Sequence, residues 1–288
     1  DYDLSKCTQT INIGNNYTLY TYEDDSTYDA YVICQDGKQI FFPEDSSYLF
    51  FYRKKLKQIT FKNIDTSYVT NMNNMFMESG RLTSLDLSSF DTKNVITLKE
   101  MFSNCTFLTS IDLSNFDTQN VNDMSNMFYY CQSLTSIDFS DFNTQNVTNM
   151  SSMFSSCKNL TSLDLSNFDT SKVTSMYALF SGCENLISLN ISNFNTENVT
   201  DMGFLFSECK NLTSLNISNF NTSKVTSMGR MFYGCESLIS LDLSNFDTQN
   251  VTNMLDMFYG CKKISSLDLS NFDTQNVTNM GGLFVDIG

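Results

Sequence analysis

The chain repeats itself every 26 residues from Leu56 onward, and no other feature of the sequence constrains its fold as strongly. One representative block runs from Leu160 to Asn185, and the blocks follow one another without insertion. Nine apolar residues open the nine blocks: Leu56, Leu82, Leu108, Leu134, Leu160, Leu186, Leu212, Leu238 and Ile264. A fixed period of this length is the signature of a solenoid, whose coils pack only against their neighbours. Function is therefore to be sought on a repeating surface rather than in one unique pocket.

The first half of each block predicts a short strand and then a corner. In the fourth block, the apolar residues Leu134, Ile137, Phe139 and Phe142 occupy positions 1, 4, 6 and 9. The alternation of positions 4 and 6 is typical of a strand with one buried face. Asp or Asn stands at position 10 and Thr at position 11 of every block, and such side chains bond their own backbone in turns. The regular row of threonines could alternatively order water, as an ice-binding face does.

The second half of each block has the spacing of an amphipathic helix. Met150, Met153, Phe154 and Cys157 fall at i, i+3, i+4 and i+7, so they would share one inward face. Asn149 precedes them, and every block carries Asn, Asp, Ser or Thr at this place, all of which are favoured helix N-caps. The pattern therefore predicts about two turns of helix in each coil.

Strand, corner, short helix and return within 26 residues is the geometry of a leucine-rich repeat. The motif LTSLDLSNFDTxNVTxMxxMFxxC resembles the BspA-like leucine-rich repeats of bacterial surface proteins, in their 26-residue variant. The resemblance covers residues 56–288. It implies an α/β solenoid, a right-handed coil with a parallel sheet and short helices. It also implies a secreted or surface-exposed protein that adheres to host matrix proteins, glycans or other cells, and it supplies no catalytic residues.

Residues 1–55 lie outside the repeat and are predicted to form a small β-rich N-terminal cap. The dipeptide Asp36-Gly37 is a hairpin signal between the apolar runs 31–34 and 39–42. A cap would cover the apolar layer and the free strand edge that a solenoid exposes at its first coil. The many tyrosines of this segment leave a distinct ligand-binding module as an alternative.

A degenerate coil is predicted just before the first full block. The residues 48–50 stand 26 residues ahead of 74–76 and share their apolar pattern, which indicates that half of a coil begins the stack there. The basic cluster 53–57, which contains four Lys or Arg residues, follows directly. It is either a solvated junction or a docking patch.

The composition excludes several classes of function. A formal net charge of −15, from 32 acidic and 17 basic residues, argues against nucleic acid and anionic membranes as partners. The sequence lacks both a run of 18 apolar residues and a secretion signal in residues 1–20, so no membrane insertion is expected. The chain begins at Asp1, which suits a processed mature protein or an excised part of a longer one.

Histidine is absent, and this removes the commonest catalytic groups. Without His there is no Ser-His or Cys-His nucleophile, no His general base and no His-ligated metal. No pair of carboxylates is distinguished from its copies in other blocks, so a glycosidase-type acid and base have no candidate. We therefore expect a protein that is not an enzyme and that uses no cofactor and no metal.

Seven of the nine cysteines form one column at position 24 of successive blocks. Their place on the inward face predicts reduced, packed thiols, although neighbours one coil apart also raise the question of disulfides or a metal. The column contains Cys105, Cys131, Cys157, Cys183, Cys209, Cys235 and Cys261. Cys7 and Cys34 lie outside it and are a candidate disulfide that would tie the cap together in an oxidising exterior.

Position 5 of the blocks forms a second column, on the outer face of the strands, and this acidic column is the candidate binding site. Its members are Asp86, Asp112, Asp138, Asp164, Asn190, Asn216, Asp242 and Asp268. Like charges stacked one coil apart repel, so a functional interpretation needs a cationic partner or a bridging calcium ion. The alternative is a solvated acidic face that keeps the rod soluble.

The leading hypothesis is a non-catalytic extracellular or cell-surface adhesion protein that binds along the exposed face of the sheet. Repetition suits weak contacts summed over many coils, and the expected partner is a host or matrix protein or a glycan. The alternative is a structural subunit that stacks end to end into a filament or surface layer. The last block ends at Gly288 with no polar cap after it, so this end could form homo-oligomers.

Overall fold

Eight short strands form in the part of the chain that the computed structural model describes, which comprises residues 9–12, 18–23, 28–32 and 39–288. The strands are β1 (Gln9–Asn12), β2 (Thr18–Glu23), β3 (Tyr28–Val32), β4 (Ile40–Phe41), β5 (Leu56–Phe61), β6 (Ile64–Asp65), β7 (Ser162–Asp164) and β8 (Ser188–Asn190). One sheet has the order β1-β2-β3-β5. The pairs β4-β6 and β7-β8 are parallel. Each of these two parallel pairs joins one coil to the coil before it.

The N-terminal strands cover the edge of the first repeat strand. β3 pairs in parallel with β5, and β2 and β1 continue the sheet outward in antiparallel order. Ala30 and Val32 of β3 are fully buried in the same core as the first coils. The described part of this segment thus contributes three strands, and the sheet leaves the strand of the first full coil with a hydrogen-bonded neighbour.

The predicted hairpin around Asp36-Gly37 is wrong. The run before it contributes to β3, whose two neighbours are β2 and β5, and the run after it contributes β4, which pairs with β6. Both runs therefore pair with the first coil instead of with each other, because the coil offers them an apolar surface to bury as well as backbone partners. The dipeptide itself lies outside the described residues.

No helix forms in the described residues, so the short helices predicted for each coil are wrong. The segment Met150–Met153 is a β-turn closed by the N–H of Met153 on the carbonyl of Met150 at 3.2 Å, and a second turn joins Cys157 to Phe154 at 3.0 Å. The third residues of these turns, Ser152 and Ser156, have φ of 55° and 62°. Two consecutive four-residue turns place apolar residues at i, i+3, i+4 and i+7, which is also the spacing of a helical face.

The turns leave backbone groups for the next coil, and this is why they replace a helix. The N–H groups of Ser152, Phe154 and Ser156 donate to carbonyls one coil further along, at 2.8, 3.0 and 2.6 Å. A helix would have consumed these donors within its own coil. The predicted N-cap Asn149 still accepts a bond, from the N–H of Ser151 at 3.0 Å, but it opens a turn. A single parallel bridge links each such residue to the next, from Asp45 to Asn279.

The predicted inward face is confirmed, because Met150, Met153, Phe154 and Cys157 are fully buried. Phenylalanine forms an unbroken stack in the centre, with adjacent ring centroids 5.3–6.2 Å apart and planes within 15°. The stack contains Phe50, Phe76, Phe102, Phe128, Phe154, Phe180, Phe206, Phe232, Phe258 and Phe284. Since Phe50 begins it, the predicted half coil ahead of Leu56 is present.

Eight of the nine threonines at position 11 are buried, which overturns the ice-binding alternative for this row, and only Thr274 of the last coil is exposed. Thr170 is fully buried; its hydroxyl donates to the carbonyl of Asn195 at 2.8 Å and accepts the N–H of the same residue at 2.7 Å. Similar bonds recur along the stack, for example between Thr66 and Asp91. The row therefore satisfies backbone groups at the corner of the next coil, as buried polar groups require, and does not face water.

We predict that two substitutions involving glycine change the stability of the protein in the opposite direction from that expected for a helix. Gly182 has φ of +73°, and an added Cβ would lie 3.2 Å from Oγ of Ser156, so Gly182→Ala should cost about 1 kcal/mol or more. The equivalent Ser156 also has a positive φ, so Ser156→Gly should be neutral or stabilising. In a helix, Gly182→Ala would stabilise by about 1 kcal/mol and Ser156→Gly would destabilise. Denaturant unfolding of both variants decides between the two geometries.

Candidate binding surfaces

The acidic column defined above lies on the exposed strand side of the coils. Each of its side chains accepts the backbone N–H of the serine two residues later, at 2.9–3.3 Å. All members are exposed except Asn190, which is half-buried. These bonds fix each carboxylate in a local turn and hold the column in one orientation along the rod.

The same hydrogen bonds favour the charged form of the carboxylates. The side chain and the N–H of Ser88 lower the pKa of Asp86, and the N–H of Ser166, together with its side chain, lowers the pKa of Asp164. Similar bonds to the following serine lower the pKa of three further members, namely Asp112, Asp242 and Asp268. These side chains are therefore ionised at neutral and mildly acidic pH, and Asp112 raises the pKa of its neighbour Asp86 only as a minor contribution.

The charge of the acidic column is not needed for the turn. Asn190 and Asn216 make the same bond to the following serine, at 3.3 and 3.2 Å, without any charge. The turn therefore also forms with asparagine, whereas aligned carboxylates repel one another. In the described ranges, the structure contains no group of three His, Cys, Asp or Glu side chains arranged to hold a metal ion.

The cysteine column is buried as predicted. Each Sγ lies 3.1–3.2 Å from the carbonyl oxygen of a phenylalanine in the preceding coil, so every thiol has a backbone acceptor. Ser79 takes the place of cysteine in the first block and donates to the carbonyl of Phe50 at 3.1 Å. Burial raises the pKa of Cys105 and Cys183 to about 12. The predicted pair of Cys7 and Cys34 lies outside the described residues and stays a prediction.

Two rows of asparagine bond to carbonyls of the preceding coil, a role that was not predicted from the sequence. The amide of Asn115 donates to the carbonyls of Leu87 and Phe90 in the preceding coil, each at 3.0 Å. The amide of Asn120 donates to the carbonyl of Lys93 at 2.8 Å. The recurrence of asparagine at positions 8 and 13 of most blocks was the signal that could have indicated these bonds.

The side of the rod formed by the turns differs from coil to coil, unlike the strand side. Positions 18, 19 and 22 carry Tyr177, Phe204, Arg230, Tyr233 and Tyr259 in neighbouring coils, whereas the fourth block has serine at all three. The rings of Tyr177 and Phe204 lie 5.5 Å apart, and those of Tyr233 and Tyr259 lie 4.9 Å apart. The guanidinium of Arg230 lies between these pairs, 5.4 Å from the ring of Phe204 and 5.6 Å from that of Tyr233.

These features define a repeat solenoid with parallel strands and two chemically different sides. The profile of one family, described as "Mycoplasma protein of unknown function, DUF285", matches residues 44–163, 108–214, 150–240 and 211–287. The chain belongs to this family. The matches begin at residue 44, which agrees with the half coil that precedes Leu56, and they are consistent with the BspA-like repeats that the sequence resembles.

Two solved structures are similar to this chain. One is a leucine rich cell surface protein from Faecalibacterium prausnitzii A2-165, at 15% identity, with 87% of this chain and 95% of that chain covered and a TM-score of 0.25. The other is TLR13 in its complex with ssRNA13, at 15% identity, with 78% of this chain and 44% of that chain covered and a TM-score of 0.20. No curated protein matches the sequence. Among the described residues, nothing forms a helix with the length and hydrophobicity that a bilayer crossing requires.

We predict that the seven thiols of the cysteine column are inert in the folded protein. Because they are fully buried and burial holds their pKa far above neutral, iodoacetamide at neutral to mildly alkaline pH should leave them unmodified. After denaturation without a reductant, all seven should react. Peptide mass mapping of both reactions checks this. Modification of Cys183 in the folded protein, or its failure to react after denaturation, would contradict the assignment.

Proposed function

We propose that this chain is a non-catalytic binding protein, secreted or displayed at a cell surface, that holds a partner along its acidic column. The observation that carries the proposal is a row of exposed carboxylates whose charge the local turns do not require. Asn190 and Asn216 make the same kind of hydrogen bond without charge, so the turn does not require the six aspartates, whose aligned charges repel one another. A cationic partner would remove this repulsion on binding.

The partner best suited to this surface is a basic segment of a host or matrix protein. Exposed ion pairs are individually weak, roughly 0–1 kcal/mol each, so affinity has to come from several of them engaged together. The column provides this because its members are one strand spacing apart, roughly 4.8 Å. Nucleic acid and anionic membranes carry the same sign of charge as this chain, whose net charge is −15. A neutral glycan carries no positive charge that would offset the repulsion between the carboxylates.

The surface location and the lack of catalysis rest on the sequence. The resemblance to BspA-like repeats supports a cell-surface or extracellular place. The absence of histidine supports a binding rather than a catalytic role. We propose that residues 1–55 form a cap that covers the edge of the first coil, because β1 to β3 extend the sheet beyond β5.

Neutralising the acidic column should weaken binding of a cationic probe. We expect the triple variant Asp138→Asn, Asp164→Asn and Asp242→Asn to bind an oligolysine peptide about tenfold more weakly than the unmodified protein and with a smaller salt dependence. The fold should be unchanged, because asparagine already occupies this column at Asn190. Titration calorimetry at two salt concentrations measures both quantities.

The matched control makes the same charge change on the next side of the coil. Asp117→Asn, Asp169→Asn and Asp247→Asn remove three exposed aspartates at position 10, where Asn143 already makes the same kind of turn. This variant has the same net charge as the first but keeps the acidic column. Equal losses of affinity in both triple variants would show that only the overall charge matters, and the proposal would fail.

A further inference from the structure

A groove lies on the turn side of the first three full coils, away from the acidic column. It has a volume of about 230 Å³, and its lining includes Lys54, Gly80, Arg81, Phe107 and Tyr130. It contains Lys54 of the basic cluster 53–57 and residues of the first three full blocks, so it adjoins the one strongly basic stretch of an acidic chain. Neither the stacking of the coils nor the proposed function uses it.

The lining of this groove departs from the repeat. Arg81 and Phe107 occupy the last position of the first two blocks, where the next five blocks carry serine or asparagine. Phe107 is 46% exposed. Because five other coils pack with Ser or Asn at this position, packing does not explain a solvent-exposed phenylalanine here.

Gly80 keeps the groove open. The corresponding position in later blocks carries larger residues, among them Gln132, Lys158 and Glu184. The backbone of Gly80 is not left-handed, and an added Cβ would lie 3.4 Å from Oγ1 of Thr106, within ordinary contact distance. Neither the backbone conformation nor packing therefore requires glycine here. The absence of a side chain at Gly80 leaves space in the groove.

Tyr130 occupies a left-handed backbone position that three later coils fill with glycine. Its φ is 61°, close to the 62° of the equivalent Ser156, and the later coils place Gly182, Gly234 and Gly260 there. Glycine suits this conformation better than a bulky residue, so the turn itself does not select tyrosine here. The side chain of Tyr130 is 38% exposed and lines the groove.

The two cations of the groove are oriented by aromatic rings. The guanidinium carbon of Arg81 lies 4.8 Å from the ring centre of Phe107, and Nζ of Lys54 lies 4.2 Å from that of Tyr52. Stacking uses the face of a guanidinium and leaves its N–H edge free, and this edge matches the two oxygens of a carboxylate. Within the part of the chain that the structure describes, no carboxylate lies within ion-pair distance of Arg81.

We propose that this groove binds an acidic sugar residue, a sugar ring that bears a carboxylate. Arg81 and Lys54 hold the carboxylate, and Phe107 and Tyr130 pack against the C–H face of the ring. Glu78 and Asn104 also line the groove. Glu78 accepts hydrogen bonds from the ring hydroxyls, and the amide of Asn104 both donates to them and accepts from them. The aromatic walls and the hydroxyl-binding groups favour a sugar over a bare inorganic anion, and the planar Arg81 edge favours a carboxylate.

Glucuronic acid and N-acetylneuraminic acid are the probes, with glucose as the neutral sugar and inorganic phosphate as the bare anion. We expect both acidic sugars to bind, as observed by ligand-detected NMR, and both glucose and phosphate to bind at least about tenfold more weakly. A glycan array tests whether the site also accepts an acidic sugar at the end of an oligosaccharide. The array carries immobilised glycans that end in either acidic sugar. Equal binding of glucose, tighter binding of phosphate, or no binding of either acidic sugar would overturn the proposal.

Three variants locate the site. Arg81→Gln removes the carboxylate partner, and Gly80→Leu fills the groove while keeping both cations, so each should lower the affinity for the acidic sugars at least about tenfold. The matched control Arg230→Gln removes another ring-stacked arginine from the same side of the rod and should leave the affinity unchanged. Thermal unfolding of each variant establishes that it is folded. Loss of binding in Arg230→Gln, or its retention in both groove variants, places the sugar elsewhere and overturns the assignment.

Sugar binding in the groove can be tested independently of the proposed binding at the acidic column. The triple asparagine variant of the acidic column leaves the groove intact and should bind the acidic sugars as the unmodified protein does. Oligolysine binding should in turn survive Arg81→Gln. A common loss in both variants would mean that the two surfaces are one site, which would contradict the groove proposal.

Discussion

The hydrogen bonds between successive coils are the interaction on which the rest of this structure depends. The single parallel bridges run through every coil from Asp45 to Asn279, and the turn residues Ser152, Phe154 and Ser156 all donate to the next coil. No coil satisfies its own backbone, so none is stable alone. The buried rows of threonine and cysteine follow from the same requirement, because each side chain completes a carbonyl of a neighbouring coil that would otherwise be buried without a partner.

The sequence predicts the period, the inward and outward faces and the first half coil, because these depend on where apolar residues recur. It does not distinguish a helix from two consecutive turns, since both place Met150, Met153, Phe154 and Cys157 on one side. The discriminating signal was the frequent Gly or Asn at the left-handed positions, such as Gly182, Gly234 and Asn74. A helix would avoid glycine in its interior, and a turn with positive φ at its third residue favours it.

The candidate surfaces were predictable to different degrees. The acidic column could be found from spacing alone, because an exposed position of a strand is fixed by its buried neighbours Leu85 and Leu87. The groove could not, because it combines residues 54, 80, 81, 107 and 130, and only the stack brings these positions together. The mistaken hairpin has the same origin. The parallel partner of β3 is β5, further along the chain, and local turn chemistry carries no information about it.

Because the period never varies, distances along the rod are multiples of one strand spacing. The groove at the first coils and the aromatic cluster around Arg230 lie on the same side of one rod, several coils apart. Each block between them adds one strand spacing, roughly 4.8 Å, and presents its neighbours with the same Phe, Met and Leu surfaces as any other block. Loss or duplication of a whole block would therefore change the distance between the two places in fixed steps while leaving each chemically intact. The separation of two surface features along such a rod is set by the number of repeats between them, which recombination between similar blocks can alter without a change of fold.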